Sequence, residues 1–164
     1  MKYDIVIAGG GMIGTSLALA LAPLSLRVAI IEPVARGAAQ QPSFDDRSTA
    51  LSRSTQRMYS AMGLWDEIAA AATPVKKIHV SDQGRFGFSH IDAEEQQVEA
   101  LGYVVINRVL GSVLQKALDG VEHLDSYCPA KVAAVTQSPD DARVMLQHDD
   151  GKSEEFTGRL LGEA

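Results

Sequence analysis

The chain is poor in the residues that build staples and metal cages. It has a single cysteine, Cys128, among 164 residues. One cysteine excludes an internal disulfide framework and suits a reducing cytoplasm. Its four histidines are scattered in sequence, so no metal-ligand spacing can be read and no metal is expected. Positive charge is also short. Fifteen Lys and Arg face twenty-one Asp and Glu, a formal net charge of −6. That balance disfavours non-specific nucleic-acid binding and gives no basic patch for a membrane surface. No internal repeat or long low-complexity tract is present. What remains is ordinary for a globular domain with a real core, at 46% hydrophobic and 22% charged residues.

The longest uncharged run, Ile5 to Leu26, is long enough to span a bilayer. Four glycines, Pro23 and the β-type run that follows argue against a span. Lys2 alone is too little charge for a good signal peptide, and no clean cleavage site follows. The run reads better as part of a strand–turn–helix–strand unit. Tyr3 to Ala8 is a β-type run. Gly9-Gly10-Gly11-Met12-Ile13-Gly14 follows, then an Ala/Leu-rich helix to Leu21. Arg27 to Ile31 is a second strand, ending on Glu32.

A dinucleotide needs this order. Gly9 permits the tight turn out of the first strand, Gly11 lets backbone approach a pyrophosphate, and Gly14 lets the helix pack on the sheet. The helix start offers unpaired N–H groups and a partial positive charge to phosphates. Glu32 falls where a carboxylate accepts hydrogen bonds from a ribose diol.

Further along, Pro33 to Asp46 reads as a loop. Asp46 or Ser48 is expected to cap a helix that ends at Gly63, and Leu64 to Ala72 is a second, short helix. Val75 to Asp82 and Arg85 to Ile91 pair as a hairpin around Gln83-Gly84. Asp92 to Glu99 is an acidic, solvated loop. Tyr103 to Ile106 is a strand, and Asn107 caps the amphipathic helix Arg108 to Leu118. Val121 to Tyr127, Lys131 to Gln137, Ala142 to His148 and Ser153 to Thr157 read as a β-meander. Gly158 to Leu161 begins one more strand, which Gly162-Glu163-Ala164 leaves without apolar residues, the pattern expected of a fragment.

Several stretches together resemble one family. They are Gly9 to Gly14 with Glu32, Phe44-Asp45-Asp46-Arg47-Ser48-Thr49-Ala50-Leu51, His79-Val80-Ser81-Asp82-Gln83-Gly84, and Gly102-Tyr103-Val104-Val105-Ile106-Asn107-Arg108-Val109-Leu110. The chain is similar to the N-terminal part of the ubiquinone-biosynthesis hydroxylases, single-component FAD monooxygenases related to p-hydroxybenzoate hydroxylase. The resemblance implies an α/β, Rossmann-like FAD-binding domain over residues 1–74 and 101–164, incomplete at its C-terminal end. A partial substrate-domain hairpin would occupy 75–100. It implies FAD as cofactor, NAD(P)H as transient reductant and a polyprenyl phenol as substrate. It leaves room for peripheral membrane or biosynthetic-complex association of a cytoplasmic parent protein.

The resemblance also implies cofactor contacts. Gly9, Gly11, Gly14 and Glu32 would meet the pyrophosphate and ribose. Arg47, at a helix start, would lie beside the flavin's phosphate and ribityl part, where a planar guanidinium suits phosphate oxygens. Arg108 opposes the dipole at its own helix start, which an anionic ligand would rationalise. Val132 would lie on the strand that runs past the adenine. Plain alternatives stand beside each: an ion pair with Asp45 or Asp46 for Arg47, a solvated helix position for Arg108, core packing for Val132. No side chain is required as an acid or base. His79 reads as a satisfied sheet histidine and Cys128 as a strand-end packing residue. The family's later Asp-Gly segment and ribityl-binding segment do not occur within these residues, so the chain alone is expected to be inactive. Two rivals carry other functions: an NAD-dependent dehydrogenase domain, and a non-catalytic remnant that binds adenine nucleotides weakly.

Overall fold

The computed structural model describes residues 1–36, 38, 45–82, 84 and 86–164. The chain divides into two compact units, Met1–Asp45 with Gly111–Ala164, and Asp46–Leu110.

The first unit is built on one six-stranded sheet. Strand β1 (Lys2–Ala8) leads through the glycine turn into helix α1 (Met12–Leu21). A 3-10 turn over Ala22–Leu24 then returns the chain to β2 (Val28–Ile31), which pairs parallel to β1. All four residues of β2 are buried, as a strand covered on both faces requires. The later strands are β8 (Leu124–Tyr127), β9 (Ala130–Gln137), β10 (Ala142–His148) and β11 (Ser153–Glu163). The spatial order is β8-β2-β1-β11-β10-β9.

Two expectations about this sheet are corrected. The stretch before Tyr127 is not the first strand of a meander: β8 pairs parallel to β2. It is the third strand of the nucleotide-binding half, reached through the amphipathic helix that precedes it. The meander is β9-β10-β11 alone. Nor do Ser153–Thr157 and Gly158–Leu161 form two strands. They are one eleven-residue strand, antiparallel to β10 over its first half and parallel to β1 from Thr157 to Glu163. The apolar count falls at Gly162 and Glu163, yet the ladder continues, because backbone bonds to β1 do not depend on side-chain polarity. Gly158 sits at the change of partner, where a Cβ would lie 2.6 Å from Val6 Cγ2.

The core lies on both faces of this sheet. Tyr3, Val6, Ala29, Ile31, Val144, Leu146 and Phe156 fill one face. Ile7, Val28 and Ile30 fill the other, packed with Ala18 of α1 and with Leu118. The Tyr3 hydroxyl donates to Asp125 Oδ2 at 2.7 Å and lies 2.6 Å from the Tyr127 hydroxyl. Burial first, then these two partners, push the Tyr3 phenol well above its usual range.

The second unit holds β3 (Ser48–Ser52), α2 (Arg53–Ala61), α3 (Trp65–Ala69), β4 (Thr73–Val75), β5 (Lys77–Ser81), β6 (Phe88–Asp92) and β7 (Gly102–Ile106). Strands β3, β7 and β4 form one antiparallel sheet, and β5 with β6 forms the expected hairpin. Gln83 and Arg85, assigned from sequence to the hairpin's turn and second strand, lie outside the described residues, as does Phe44. Helix α4 (Asn107–Leu118) leads out of this unit.

The helix expected from a cap at Asp46 or Ser48 begins only at Arg53. Ser48–Ser52 is a strand, and the cap is Ser52, whose Oγ accepts from the Thr55 amide at 3.1 Å. Ser48 and Ser52 offer the same cap chemistry. The pairing of Leu51 and Thr49 with Tyr103 and Val105 decides between them.

Candidate functional site

The nucleotide-type turn is assembled as its spacing requires. Gly9 has φ +115°, and a Cβ there would collide with the Ala164 carbonyl oxygen. Only glycine tolerates both demands. Gly14 is buried, and its Cβ would strike the Gly9 carbonyl oxygen and approach Ile7 Cγ2 at 3.1 Å. The third glycine therefore holds α1 against β1. Gly11 is the N-cap of α1, with extended backbone (φ −68°, ψ −168°), and its carbonyl accepts from Thr15 N–H at 3.0 Å.

Glu32 is brought to this turn. Its backbone is fixed on both sides, since Glu32 N–H donates to the Tyr127 carbonyl and Ala130 N–H donates to the Glu32 carbonyl, both at 2.9 Å. The side chain turns inward. Gly10 N–H donates to Oε2 at 2.8 Å, and Val34 N–H donates to Oε1 at 2.7 Å. The carboxylate is thus locked beside the start of α1, with lone pairs left over for a diol, since two oxygens offer about four acceptor sites.

Gly10 is a position that the G-x-G-x-x-G spacing does not single out. A Cβ there would lie 2.6 Å from Glu32 Cβ. Its constraint comes from a residue 22 positions later, so no local pattern reveals it. Thr15 was likewise missed: buried, it donates from Oγ1 to the Gly10 carbonyl at 2.9 Å and fixes the turn from inside.

A small cavity beneath the turn is lined by Gly10, Glu32, Arg36, Gln115, Ser126 and Cys128, among others. Arg36 reaches Asp119 Oδ1 at 2.5 Å and Ser126 Oγ at 3.3 Å. Among the described residues, Gln115 Oε1 is buried without a hydrogen-bond partner. Cys128 donates from Sγ to the Val34 carbonyl at 3.3 Å, and burial raises its thiol pKa. It packs at the end of β8, as expected.

The remaining candidates do not converge on one point within a unit. In the first unit, Val132 lies on β9 opposite Leu146 and packs against the core. In the second, Arg47 is exposed and precedes a strand rather than a helix, because the helix begins only after Ser52. Its carbonyl accepts from Asn107 N–H at 2.8 Å. Arg108 does sit in the first turn of α4, 2.9 Å from Asp46 Oδ1, with both side chains exposed. Asp46 therefore pairs with Arg108. Asn107 is buried, and its Oδ1 accepts from Thr49 Oγ1 at 2.6 Å.

The topology gives the turn its meaning. β1 lies between β2 and β11, both parallel to it, and the glycine turn leaves its carboxyl end. Open α/β sheets bind ligands outside the carboxyl ends of their strands. Among the described residues, no side chain caps α1 and no acid lies in its first turn. An uncapped helix start, a close-approach glycine turn, a fixed carboxylate and an orphaned buried acceptor fit the adenosine diphosphate half of a dinucleotide.

Comparison with known proteins agrees with this geometry. Residues 2–161 match the family described as FAD binding domain. The chain belongs to that family. Several of its curated relatives are ubiquinone-biosynthesis hydroxylases and monooxygenases. It is 31% identical over 143 residues to ubiquinone hydroxylase UbiL of Rhodospirillum rubrum, covering 87% of this chain and 33% of that protein. It is 32% identical over 143 residues to 3-demethoxyubiquinol 3-hydroxylase of Escherichia coli, covering 84% and 35%. The chain thus spans about a third of the length of these relatives. The fold recurs in p-nitrophenol 4-monooxygenase PnpA from Pseudomonas putida, with a TM-score of 0.79 at 17% identity over 99% of this chain and 41% of that one. It recurs also in the anhydrotetracycline hydroxylase OxyS from Streptomyces rimosus, with a TM-score of 0.79 at 20% identity over 100% and 32%. Among the described residues, no helix is long and apolar enough to cross a membrane.

Proposed function

We propose that this chain is the nucleotide-binding portion of an FAD-dependent aromatic hydroxylase of ubiquinone biosynthesis. The observation that carries the reading is the Glu32 carboxylate, held by the Gly10 amide beside the uncapped start of α1. Gly9, Gly11 and Gly14 would admit the pyrophosphate, and Glu32 would accept from the ribose diol of FAD. Val132, Arg47 and Arg108 are proposed as further cofactor-facing positions; binding by Arg108 would exchange the exposed Asp46 carboxylate for a phosphate.

The substrate class would be a polyprenyl phenol, with NAD(P)H as reductant and O2 as the source of the transferred oxygen. The His79-to-Gly84 segment resembles that of 2-octaprenyl-6-methoxyphenol hydroxylase within the family. Residues 1–74 and 101–164 would serve the cofactor, and 75–100 would belong to a substrate domain. When bound, the flavin supplies the redox chemistry; the chain's residues bind and orient it. A parent protein associated with a membrane or a biosynthetic complex fits a polyprenyl substrate. By itself the 164-residue chain is proposed to be inactive.

The rival dehydrogenase reading is weaker, since β8 is followed by the antiparallel strands β9 and β10 rather than by a second βαβ half. Equilibrium dialysis of the purified chain separates the readings. FAD and ADP should bind competitively, and FMN, which lacks the adenosine half, should not bind. Preference for NAD over FAD would favour the dehydrogenase. Failure of FAD, ADP and NAD alike would leave the nucleotide assignment without support.

A further inference from the structure

We propose that His79 and His90 form a binding site for a borderline divalent metal ion, Zn2+, Ni2+ or Cu2+, across the β5–β6 hairpin. Eleven residues separate them in sequence, but the antiparallel register sets them directly opposite each other. His79 Nδ1 and His90 Nε2 lie 2.5 Å apart, and both residues are exposed. His79 is thus a sheet histidine with a partner, as expected, but an exposed one.

Two ring nitrogens aimed at one point can hold one proton between them, so at least one presents a lone pair there. Neutral imidazole nitrogen is the commonest protein ligand for these metals. An ion in the proton's place would sit about 2.0–2.1 Å from each nitrogen. That geometry needs a nitrogen separation of about 2.9 Å for a right-angled pair of ligands and about 3.3 Å for a tetrahedral pair. The rings must open by less than about an ångström, which small side-chain rotations provide at an exposed site.

The surroundings favour the arrangement. Phe88 packs on both rings, its centroid 5.7 Å from that of His79 and 4.9 Å from that of His90. The next cross-strand pair on the same face is Lys77 with Asp92, joined at 2.9 Å. The nearby ammonium is thereby compensated and does not simply repel a cation. Among the described residues, no group of three His, Cys, Asp or Glu gathers around a potential ion. Water would complete the coordination, giving an open and exchangeable site. The tetragonal nitrogen and oxygen preference of Cu2+ and Ni2+ suits it. An ion bridging both strands would also staple a sheet of only two.

The test is isothermal titration of the tag-free chain with ZnCl2, NiCl2 and CuCl2 near neutral pH. One ion per chain should bind, and His79→Ala and His90→Ala should each weaken binding by about tenfold or more. His123→Ala and His148→Ala should leave it unchanged. Since a variant could disturb the hairpin, NMR of the wild-type chain gives an independent readout. Zn2+ should move the ring resonances of His79 and His90 together and spare those of His123 and His148. Retained affinity in either hairpin variant, shifts centred on the other histidines, or no binding at millimolar metal would overturn the proposal.

Discussion

Glu32 has a structural role that stands apart from its proposed role in binding. It accepts from two backbone amides, Gly10 and Val34, so it orders the turn before any ligand arrives. Glu32→Ala should therefore weaken FAD binding by about 1.5–3 kcal/mol for each charge-assisted bond lost. Calorimetric titration with FAD measures it. A loss under about threefold would place Glu32 outside the site. Gly11→Val tests a different point. The N-cap backbone is extended and does not itself demand glycine, so the fold should survive while ligand approach is blocked. Loss of ADP binding with an unchanged circular dichroism spectrum is the expected result, and unchanged affinity would remove Gly11 from the site. Gly10→Ala should act on stability instead, because its Cβ would meet Glu32 Cβ at 2.6 Å. A cost of about 1–3 kcal/mol in urea unfolding is expected. The turn role of Gly9 and the packing role of Gly14 were legible from spacing because both follow from a local strand–turn–helix. Gly10, Thr15 and the His79–His90 pair were not, because each owes its place to contacts or register that no local spacing reveals.

At the scale of elements, hydrophobic period found most strands and helices but could not choose between competing partners. Ser48 and Ser52 are equivalent caps in sequence, and pairing with β7 draws Ser48–Ser52 into a strand. Ser52→Ala should then cost about 1 kcal/mol through the lost N-cap bond, read as a lower urea midpoint. Ser48→Ala, at an exposed strand start, should do little. Equal effects from both would mean that the helix does begin earlier. β8 was misassigned for a related reason. A four-residue strand, Leu-Asp-Ser-Tyr, carries no mark of parallel or antiparallel pairing; its partner is fixed by the return of α4. β11 was divided at Gly158 because glycine reads as a break, whereas here it admits the close approach of Val6.

For the whole molecule, the two units carry different parts of the proposed chemistry. The first holds a turn suited to an adenosine diphosphate half. Within it, among the described residues, none of the proposed contacts encloses an isoalloxazine ring. The chain also spans about a third of the length of its hydroxylase relatives. A flavin held only by its nucleotide end would keep its ring in water. Reduced flavin in water passes its electrons to O2 without delivering oxygen to a substrate, and closed sites exist partly to prevent such side reactions. The purified 164-residue chain should therefore carry little flavin, show weak FAD affinity through the adenosine end, and form no hydroxylated phenol with added FAD and NADPH. A longer protein that contains this chain and the rest of the relatives' length should retain flavin and couple NADPH oxidation to product. Mass spectrometry of both reactions side by side, with a free-flavin background, decides the matter. Product above that background from the 164-residue chain would mean that its own residues shield the flavin, and that the site extends well beyond the glycine turn and Glu32.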